Sequence, residues 1–247
     1  KTMAITISSA FDSGNIRVVS QDGNRIDLEI VNDAQSDFYQ WFHFRVAGAG
    51  GQQVELRILN CAGSAYPDGW PDYKARISYD REDWELVGDT SYADGVLTIR
   101  VNAETDLFWV AYFAPYSMER HHDFVSTVAA LPDVGYRSLG KSLDGQDIDC
   151  LTIGEGPLTA WIYARQHPGE SMAEWWMEGA IEKLLDVDDP VARVLRKEVT
   201  FHLVPNMNPD GSRRGHLRTN AVGTNLNREW HAPSEEKSPE VLWVRNA

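Results

Sequence analysis

Apolar and polar residues alternate along most of the first half of the chain, and this period of two is the feature that most constrains the fold. Successive side chains of a β-strand point to opposite faces, so the alternation predicts strands that are buried on one face. Turn-forming residues separate the runs, as at 48–51 and 94–95. Short strands with no convincing helix between them predict an antiparallel β-sandwich. The predicted strands are Ile26–Ile30, Phe38–Val46, Val54–Ile58, Val96–Val101 and Phe108–Phe113.

The pattern changes after Pro115, where strand-like runs begin to alternate with helical spacing. Strand, helix and strand in that order predict an α/β domain whose functional residues lie on loops at the strand ends. We therefore predict a β-sandwich domain over residues 1–115 and an α/β domain over residues 116–247. The elements predicted for the second domain are helices over 119–131 and 171–185 and the strands Ile148–Ile153, Leu158–Ala164 and Val199–Val204.

Composition argues against several classes of function. The chain of 247 residues has 37 Asp and Glu against 23 Lys and Arg, which gives a net charge of −14. This balance argues against a nucleic-acid backbone or an anionic membrane as a partner. Two cysteines, Cys61 and Cys150, are more typical of packed thiols than of a disulfide framework, the alternative being a single bridge. With no apolar run long enough for a signal peptide or a membrane span, we expect a cytoplasmic protein.

A His-x-x-Glu motif lies between a predicted strand and the helix at 171–185. His167 and Glu170 are three positions apart, so a turn can aim an imidazole nitrogen and a carboxylate at one point, as a zinc ion requires. Pro168 and Gly169 allow that turn to be tight. The motif alone is weak evidence, and the alternative is a capped helix start with a surface histidine.

A second polar cluster follows the last predicted strand. A run of turn-forming residues, Pro205–Gly211, comes first, and two arginines and an asparagine follow it, namely Arg218, Arg228 and Asn227. A planar guanidinium can bond both oxygens of a carboxylate, so these residues suit recognition of an anionic substrate, although ordinary solvated surface is the alternative. The segment is basic within an acidic chain, and such local charge can focus an anionic substrate. Its arginines are Arg213, Arg214, Arg218 and Arg228.

Taken together in this order and spacing, the motifs resemble the zinc carboxypeptidase family. The motifs concerned are His167–Glu170, Asn208–Gly211, Arg218 and Asn227 with Arg228. The resemblance to the cytosolic carboxypeptidase branch extends over nearly the whole chain, because that branch places a β-sandwich before its catalytic domain. The segments similar to its sandwich signatures are Phe38–Phe44, Asp83 with Trp84, and Ala111–Tyr116. The resemblance implies an α/β carboxypeptidase-like domain, with a mixed sheet and flanking helices, that is incomplete here.

The resemblance also implies a role for each matching residue. His167 and Glu170 match two zinc ligands, with one Zn²⁺ per active site as the cofactor. Arg218 matches the arginine that polarises the scissile carbonyl and stabilises its oxyanion. Asn227 and Arg228 match the pair that binds the C-terminal carboxylate of a peptide or protein substrate. Members of this branch act on glutamate residues at acidic C-termini or linked to side chains, so we expect glutamate as the released residue.

The family also uses a third zinc ligand, a histidine, and a glutamate general base, both of which come later in its sequence than the Asn-Arg pair. His231 follows too soon to match that histidine, and Glu235, Glu236 and Glu240 are too close to match the base. We therefore expect an incomplete active site, a further C-terminal segment of the same protein that completes it, and little activity from this chain alone. The sequence does not predict the oligomeric state.

Two other functions stay open. A zinc amidohydrolase of the N-acyl amino acid deacylase type uses a similar His-x-x-Glu site, but the upstream sandwich argues against it. A non-catalytic binding protein could instead carry the peptidase half as a remnant.

Several conspicuous side chains are predicted to be structural. Trp175 and Trp176 are predicted to lie in a helix core, the alternative being a ligand platform. His121 and His122 are predicted to lie on a helix surface, with metal binding by the pair as the alternative. His202 and Cys150 are predicted to be structural residues within strands, with Cys150 as a small buried hydrophobe.

Overall fold

The structure is a computed structural model that describes residues 4–247. Lys1, Thr2 and Met3, at the start of the first predicted domain, lie outside the described residues. The described chain forms two compact units. The first comprises the chain up to Pro115 together with Arg214–Leu217, and the second comprises Tyr116–Arg213 and Arg218–Ala247.

The first unit is a β-sandwich. Its strands are β1 (Thr6–Ser8), β2 (Arg17–Asp22), β3 (Arg25–Glu29), β4 (His43–Ala47), β5 (Gln53–Ile58), β6 (Arg76–Ser78), β7 (Glu85–Leu86), β8 (Thr90–Ala93), β9 (Val96–Asn102) and β10 (Leu107–Ala111). One sheet has the order β1-β4-β10-β6-β7 and the other β2-β3-β5-β9-β8. Neighbouring strands are antiparallel except β3 and β5, which pair in parallel. The two sheets share one hydrophobic core, so the predicted sandwich is confirmed.

The apolar residues of the alternating runs are the ones whose side chains are buried. In β5, Val54, Leu56 and Ile58 are fully buried, while the residues between them are partly exposed. Burial of a side chain of this kind contributes roughly 1.5–3 kcal/mol, so the strands are held by the core between the sheets. The residues of β3 and β9 follow the same rule.

The segment before β4 differs from the prediction. Only His43–Ala47 of the predicted strand Phe38–Val46 is regular, although Trp41 and Phe42 are buried. Side-chain bonds hold the irregular part: the Gln40 amide donates to the Tyr66 carbonyl at 2.9 Å and accepts from its N–H at 2.6 Å. An aromatic run predicts burial here, but the segment is not paired as a regular strand: the carbonyls of Tyr39 and Phe42 accept from the backbone N–H groups of Ala65 and Tyr112 at 3.0 and 2.9 Å.

Arg214–Leu217 belongs to the first unit through specific hydrogen bonds. Asn15 donates to the carbonyl of Gly215 at 3.0 Å, and the N–H of Leu217 donates to the Asp33 carboxylate at 2.7 Å. The N–H of Ala34 donates to Nε2 of His216 at 3.1 Å. These bonds fix the segment that immediately precedes Arg218 in the chain.

The second unit has a mixed sheet with flanking helices, which confirms the predicted carboxypeptidase-like fold class. Its strands are β11 (Val134–Lys141), β12 (Asp147–Ile153), β13 (Leu158–Tyr163) and β14 (Val199–Val204), and its helices are α1 (Met118–Ala129), α2 (Ser171–Leu185), α3 (Pro190–Glu198), α4 (Pro209–Arg214) and α5 (Pro239–Asn246). The sheet order is β11-β12-β14-β13, and only β13 and β14 are parallel. The sequence predicted α1, α2, β12, β13 and β14 but missed β11, α3 and α4.

Helix α2 has the predicted bounds, but the face that it buries is not the one that carries Trp176. The buried residues are Ser171, Glu174, Met177, Ile181 and Leu184. Trp176 is 58% exposed, so its predicted core position is wrong. Trp175 is half-buried against the ring of Tyr116, with ring centroids 4.9 Å apart. A helix with apolar residues on both faces does not reveal from sequence which face the sheet will cover.

Strand β13 forms one edge of this sheet and exposes large apolar side chains. Leu158, Trp161 and Tyr163 are 61%, 36% and 41% exposed. An exposed apolar edge strand is unusual, because such edges invite pairing with another strand.

Both cysteines and His202 have the environments that the sequence predicts. Cys61 and Cys150 are both buried and free, which confirms packed thiols. His202 is half-buried in β14, with Nδ1 3.0 Å from the Thr152 hydroxyl, in agreement with a structural role. Within residues 4–247, none of the helices combines the length and apolar character needed to cross a membrane.

A buried carboxyl group near the start of α5 makes the stability of this unit depend on pH. Glu240 is fully buried, and burial, assisted by the charges of Asp210 and Asp144, raises its pKa to about 7. The Asn220 amide donates to both of its oxygens at 3.2–3.3 Å. The folded state therefore holds an extra proton between pH 4.5 and 7, so stability falls as pH rises through that window.

We expect Glu240→Gln to remove much of the loss of folding stability that accompanies a rise in pH. Relative to the unsubstituted chain, the variant should gain about 2 kcal/mol more stability at pH 8 than at pH 5, or roughly 4–8 °C in the unfolding midpoint. Thermal unfolding followed by circular dichroism at the two pH values measures this. The exposed Glu235→Gln is the matched control. Parallel pH profiles for the Glu240 variant and the unsubstituted chain would contradict the assignment.

Candidate metal and carboxylate site

The turn between β13 and α2 brings the two predicted zinc ligands together. Nδ1 of His167 lies 3.1 Å from each carboxylate oxygen of Glu170. The His167 side chain is only 12% exposed, whereas that of Glu170 is 53% exposed. Two atoms that bind one zinc ion at 2.0–2.2 Å lie about 3–3.5 Å apart, so this pair can share an ion with little movement.

The second ring nitrogen of His167, Nε2, is buried and has no hydrogen-bond partner among the described residues. A histidine bound to metal through one ring nitrogen usually donates a hydrogen bond from the other. An imidazole nitrogen and a carboxylate together are a donor pair that zinc accepts.

A buried arginine shapes this turn. Arg165 has a φ of +52°, a left-handed conformation that costs a non-glycine residue roughly 1–2 kcal/mol. Its guanidinium donates to the carbonyl of Pro168 at 3.0 Å and to that of Tyr116 at 2.6 Å. The side chain is 1% exposed, so these bonds are made without competition from water. Arg165 thus holds the backbone between His167 and Glu170.

Glu174, one turn into α2, anchors Arg165. Its carboxylate accepts from Arg165 at 2.9 Å and from the Asn206 amide at 3.0 Å, and its other oxygen lies 2.6 Å from Nδ1 of His121. Nε2 of His121 lies 2.8 Å from Asp149. We call these five residues the buried network. They come from α1, α2, β12 and the loops that follow β13 and β14.

Charge in the buried network is balanced. Burial lowers the pKa of His121, but the hydrogen bonds to Asp149 and Glu174 outweigh this effect and raise it to about 9. The imidazolium and the Arg165 guanidinium then face two carboxylates, so no ion is buried without a partner. The predicted surface position of His121 is wrong, because its side chain is 1% exposed between two carboxylates, whereas His122 is exposed.

The second predicted cluster packs directly against the first. Asn208 is fully buried, and its amide donates to the carbonyl of Gln166 at 3.1 Å. Its side-chain oxygen accepts from the N–H of Gly211 at 3.1 Å. A Cβ atom at Gly211 would clash with Pro168, the carbonyl of Thr219 and Asn208. Three segments therefore meet at Gly211, and the half-buried Arg218 directly precedes Thr219.

The C-terminal part of the second cluster, Asn227 with Arg228, lies close in the chain to a residue that contacts the same turn. Asn227 and Arg228 lie in a 3-10 helix, Leu226–Arg228, and both are exposed. Close by in the chain, the Trp230 indole donates to Gln166 at 2.7 Å, and its ring stacks on Tyr163 at 5.1 Å. The structure thus gathers the segments that carry all five predicted site residues around the ends of β13 and β14. Their individual roles stay predictions.

The buried network is the part of the site that the sequence analysis missed. One signal was present: Glu174 falls on the stripe of α2 that contains Met177, Ile181 and Leu184. A charged residue on an otherwise apolar stripe indicates a buried ion pair. Its partner could not be predicted, because His121 lies 53 positions away.

Comparison with known proteins agrees with this geometry. A sequence profile described as "Cytosolic carboxypeptidase N-terminal domain" matches residues 7–113, and one described as "Zinc carboxypeptidase" matches residues 122–241. An uncharacterized protein of Zymomonas mobilis is 62% identical over 99% of this chain and 64% of its own length. Human cytosolic carboxypeptidase 1 is 27% identical over 98% of this chain and 24% of its own length.

A solved structure completes the comparison. The crystal structure of a metallo-carboxypeptidase from Burkholderia cenocepacia superposes with a TM-score of 0.96 at 48% identity, covering 99% of this chain and 67% of that one. The chain therefore belongs to the zinc carboxypeptidase family, in the branch with a cytosolic carboxypeptidase N-terminal domain. It spans about two thirds of the length of its bacterial relatives.

We expect Arg165→Lys to loosen the turn that carries His167 and Glu170. A lysine ammonium is a single point charge and cannot span the three acceptors that the planar guanidinium reaches through two nitrogen atoms, so the variant should lose about 3 kcal/mol of stability. The amide of Glu170, which donates to the carbonyl of His167 at 3.1 Å, should exchange its hydrogen at least tenfold faster.

Hydrogen exchange and denaturant unfolding measure the two effects. Arg193→Lys, on the exposed surface of α3, is the matched control and should change neither. Unchanged exchange at Glu170 in the Arg165 variant would show that the arginine does not hold the turn.

Proposed function

We propose that this chain supplies the N-terminal part of a zinc-dependent carboxypeptidase that hydrolyses the C-terminal peptide bond of peptides or proteins. The observation that carries the proposal is the His167–Glu170 pair, with its 3.1 Å separation, on a turn held by a fully buried arginine. Membership of the zinc carboxypeptidase family supports the same reaction.

Each site residue has a physical role in this proposal. When bound, a zinc ion supplies Lewis acidity and lowers the pKa of water. His167 and Glu170 would hold the ion at the end of β13. Arg218 places a fixed positive charge where the oxyanion of the scissile carbonyl develops. Arg228 and Asn227 bind the terminal carboxylate of the substrate, which restricts cleavage to the last residue.

We further propose that the site is completed by a C-terminal segment of the same protein that supplies the third zinc ligand and the general base. The bacterial relatives are longer than this chain by about a third of their own length. The apolar edge strand β13 offers Leu158, Trp161 and Tyr163 as a surface on which that segment would pack. The chain alone is then inactive or nearly so.

The experiment joins this chain to the C-terminal third of the Zymomonas mobilis relative, which is 62% identical over the shared part. The joined protein should release the last residue of a peptide with a free carboxylate and leave its C-terminal amide intact, whereas the chain alone should release nothing. His167→Ala should abolish the reaction. A folded, zinc-loaded joined protein that cleaves neither peptide would favour a non-catalytic binding protein instead.

Arg228→Lys tests recognition of the carboxylate in the joined protein. A lysine cannot form the bidentate bond, so KM for the free peptide should rise about tenfold or more, with a smaller change in kcat. Arg213→Lys is the matched control, since Arg213 is exposed and pairs with Asp144 at 3.0 Å. Equal KM values for the two variants would contradict the role of Arg228.

Glutamate is the proposed released residue, on the strength of the resemblance to the cytosolic branch. Peptides that differ only in a terminal Glu, Leu or Lys measure the preference through kcat/KM. No preference for Glu would rule out an acidic substrate while leaving the carboxypeptidase proposal intact.

We propose a cytoplasmic location. Two buried free thiols suit a reducing compartment, and the N-terminal domain is of the cytosolic carboxypeptidase type.

A further inference from the structure

His121, His122 and Asp149 surround one point in the second unit, where α1 meets β12. A ligand atom from each of the three side chains lies within 4.8 Å of the other two. Nε2 of His121 and a carboxylate oxygen of Asp149 are 2.8 Å apart. His121 and Asp149 are part of the buried network, but none of the three is a proposed zinc ligand or substrate-binding residue of the catalytic site.

The environment of His121 is that of a metal ligand. Its Nδ1 atom lies 2.6 Å from the carboxylate of Glu174, so this nitrogen donates its proton there and Nε2 faces Asp149. Protein metal sites often contain such a carboxylate behind the imidazole, because it fixes the ring orientation and makes the ligating nitrogen more basic. Here the supporting carboxylate is buried and is itself held by Arg165.

A cavity gives access to this point. Its volume is about 530 Å³, and His122, Asp149 and Tyr136 line it. The Tyr136 hydroxyl donates to the second oxygen of Asp149 at 2.8 Å, which leaves the oxygen nearer His121 as the one directed at the histidine. The cavity is wide enough for a hydrated ion to enter and for water to complete its coordination.

We propose that His121, His122 and Asp149 form a second binding site for a divalent transition ion of the zinc type. Two imidazoles and one carboxylate, with a water in the fourth position, are a ligand set that zinc accepts. The ion takes the position of the proton between Nε2 of His121 and Asp149, and that proton leaves to solvent. The ion replaces the hydrogen bond between His121 and Asp149, whereas the bond from His121 to Glu174 remains, so the ion links α1 to β12.

Zinc binding to the His167→Ala variant of this chain tests the site, because the substitution removes the proposed catalytic ligand. Equilibrium dialysis against Zn²⁺ should find one ion per chain. In that background, His122→Ala should raise the Kd at least tenfold. Since His122 is exposed, the variant should fold normally. His231→Ala, another exposed histidine, is the matched control and should change the Kd less than twofold.

X-ray absorption at the zinc edge supplies a second readout. The His167→Ala variant should show scattering from two imidazoles, and His122→Ala should reduce this to one. A His167→Ala chain that binds no zinc, or equal effects of His122→Ala and His231→Ala, would overturn the proposal. Because the catalytic ligand is absent from every variant, this result is independent of the proposed carboxypeptidase activity.

Discussion

Two turns of the second unit, those after β13 and β14, depend on the hydrogen bonds that the buried carboxylate of Glu174 accepts. It binds Arg165, which holds the turn of His167 and Glu170, and it binds Asn206, which begins the turn that contains Asn208. Removal of one partner of a buried ion pair typically costs 3–5 kcal/mol, because the other charge is left uncompensated. The geometry of the turn that carries His167 and Glu170 therefore depends on charges buried beneath it.

This arrangement separates two requirements that a metal site places on the chain. The ligands themselves must be accessible, and Glu170 is half-exposed. Their backbone must nevertheless be rigid, and a left-handed Arg165 is stable only while its three hydrogen bonds persist. Gly211 adds a steric requirement, because any side chain there would separate the turn from the segment that follows Arg218 in the chain.

Local patterns in the sequence predicted much of this structure. The period of two identified β3, β5 and β9, and the bounds of α2 and β14 were predicted without error. The His-x-x-Glu spacing predicted a local convergence that the fold confirms. Long-range features were not predictable. The choice of which face of α2 is buried depends on the surface that the sheet covers, and so does the burial of His121. The sequence also does not specify which distant charges meet.

We propose that the turn between β13 and α2 holds the catalytic metal, and a zinc-edge anomalous difference map would locate the ion. Crystals of the chain joined to the C-terminal third of its Zymomonas mobilis relative should show a peak at about 2.0–2.2 Å from Nδ1 of His167 and from a Glu170 oxygen. The peak should vanish in His167→Ala. A zinc-loaded crystal with no density between these two side chains would contradict the account.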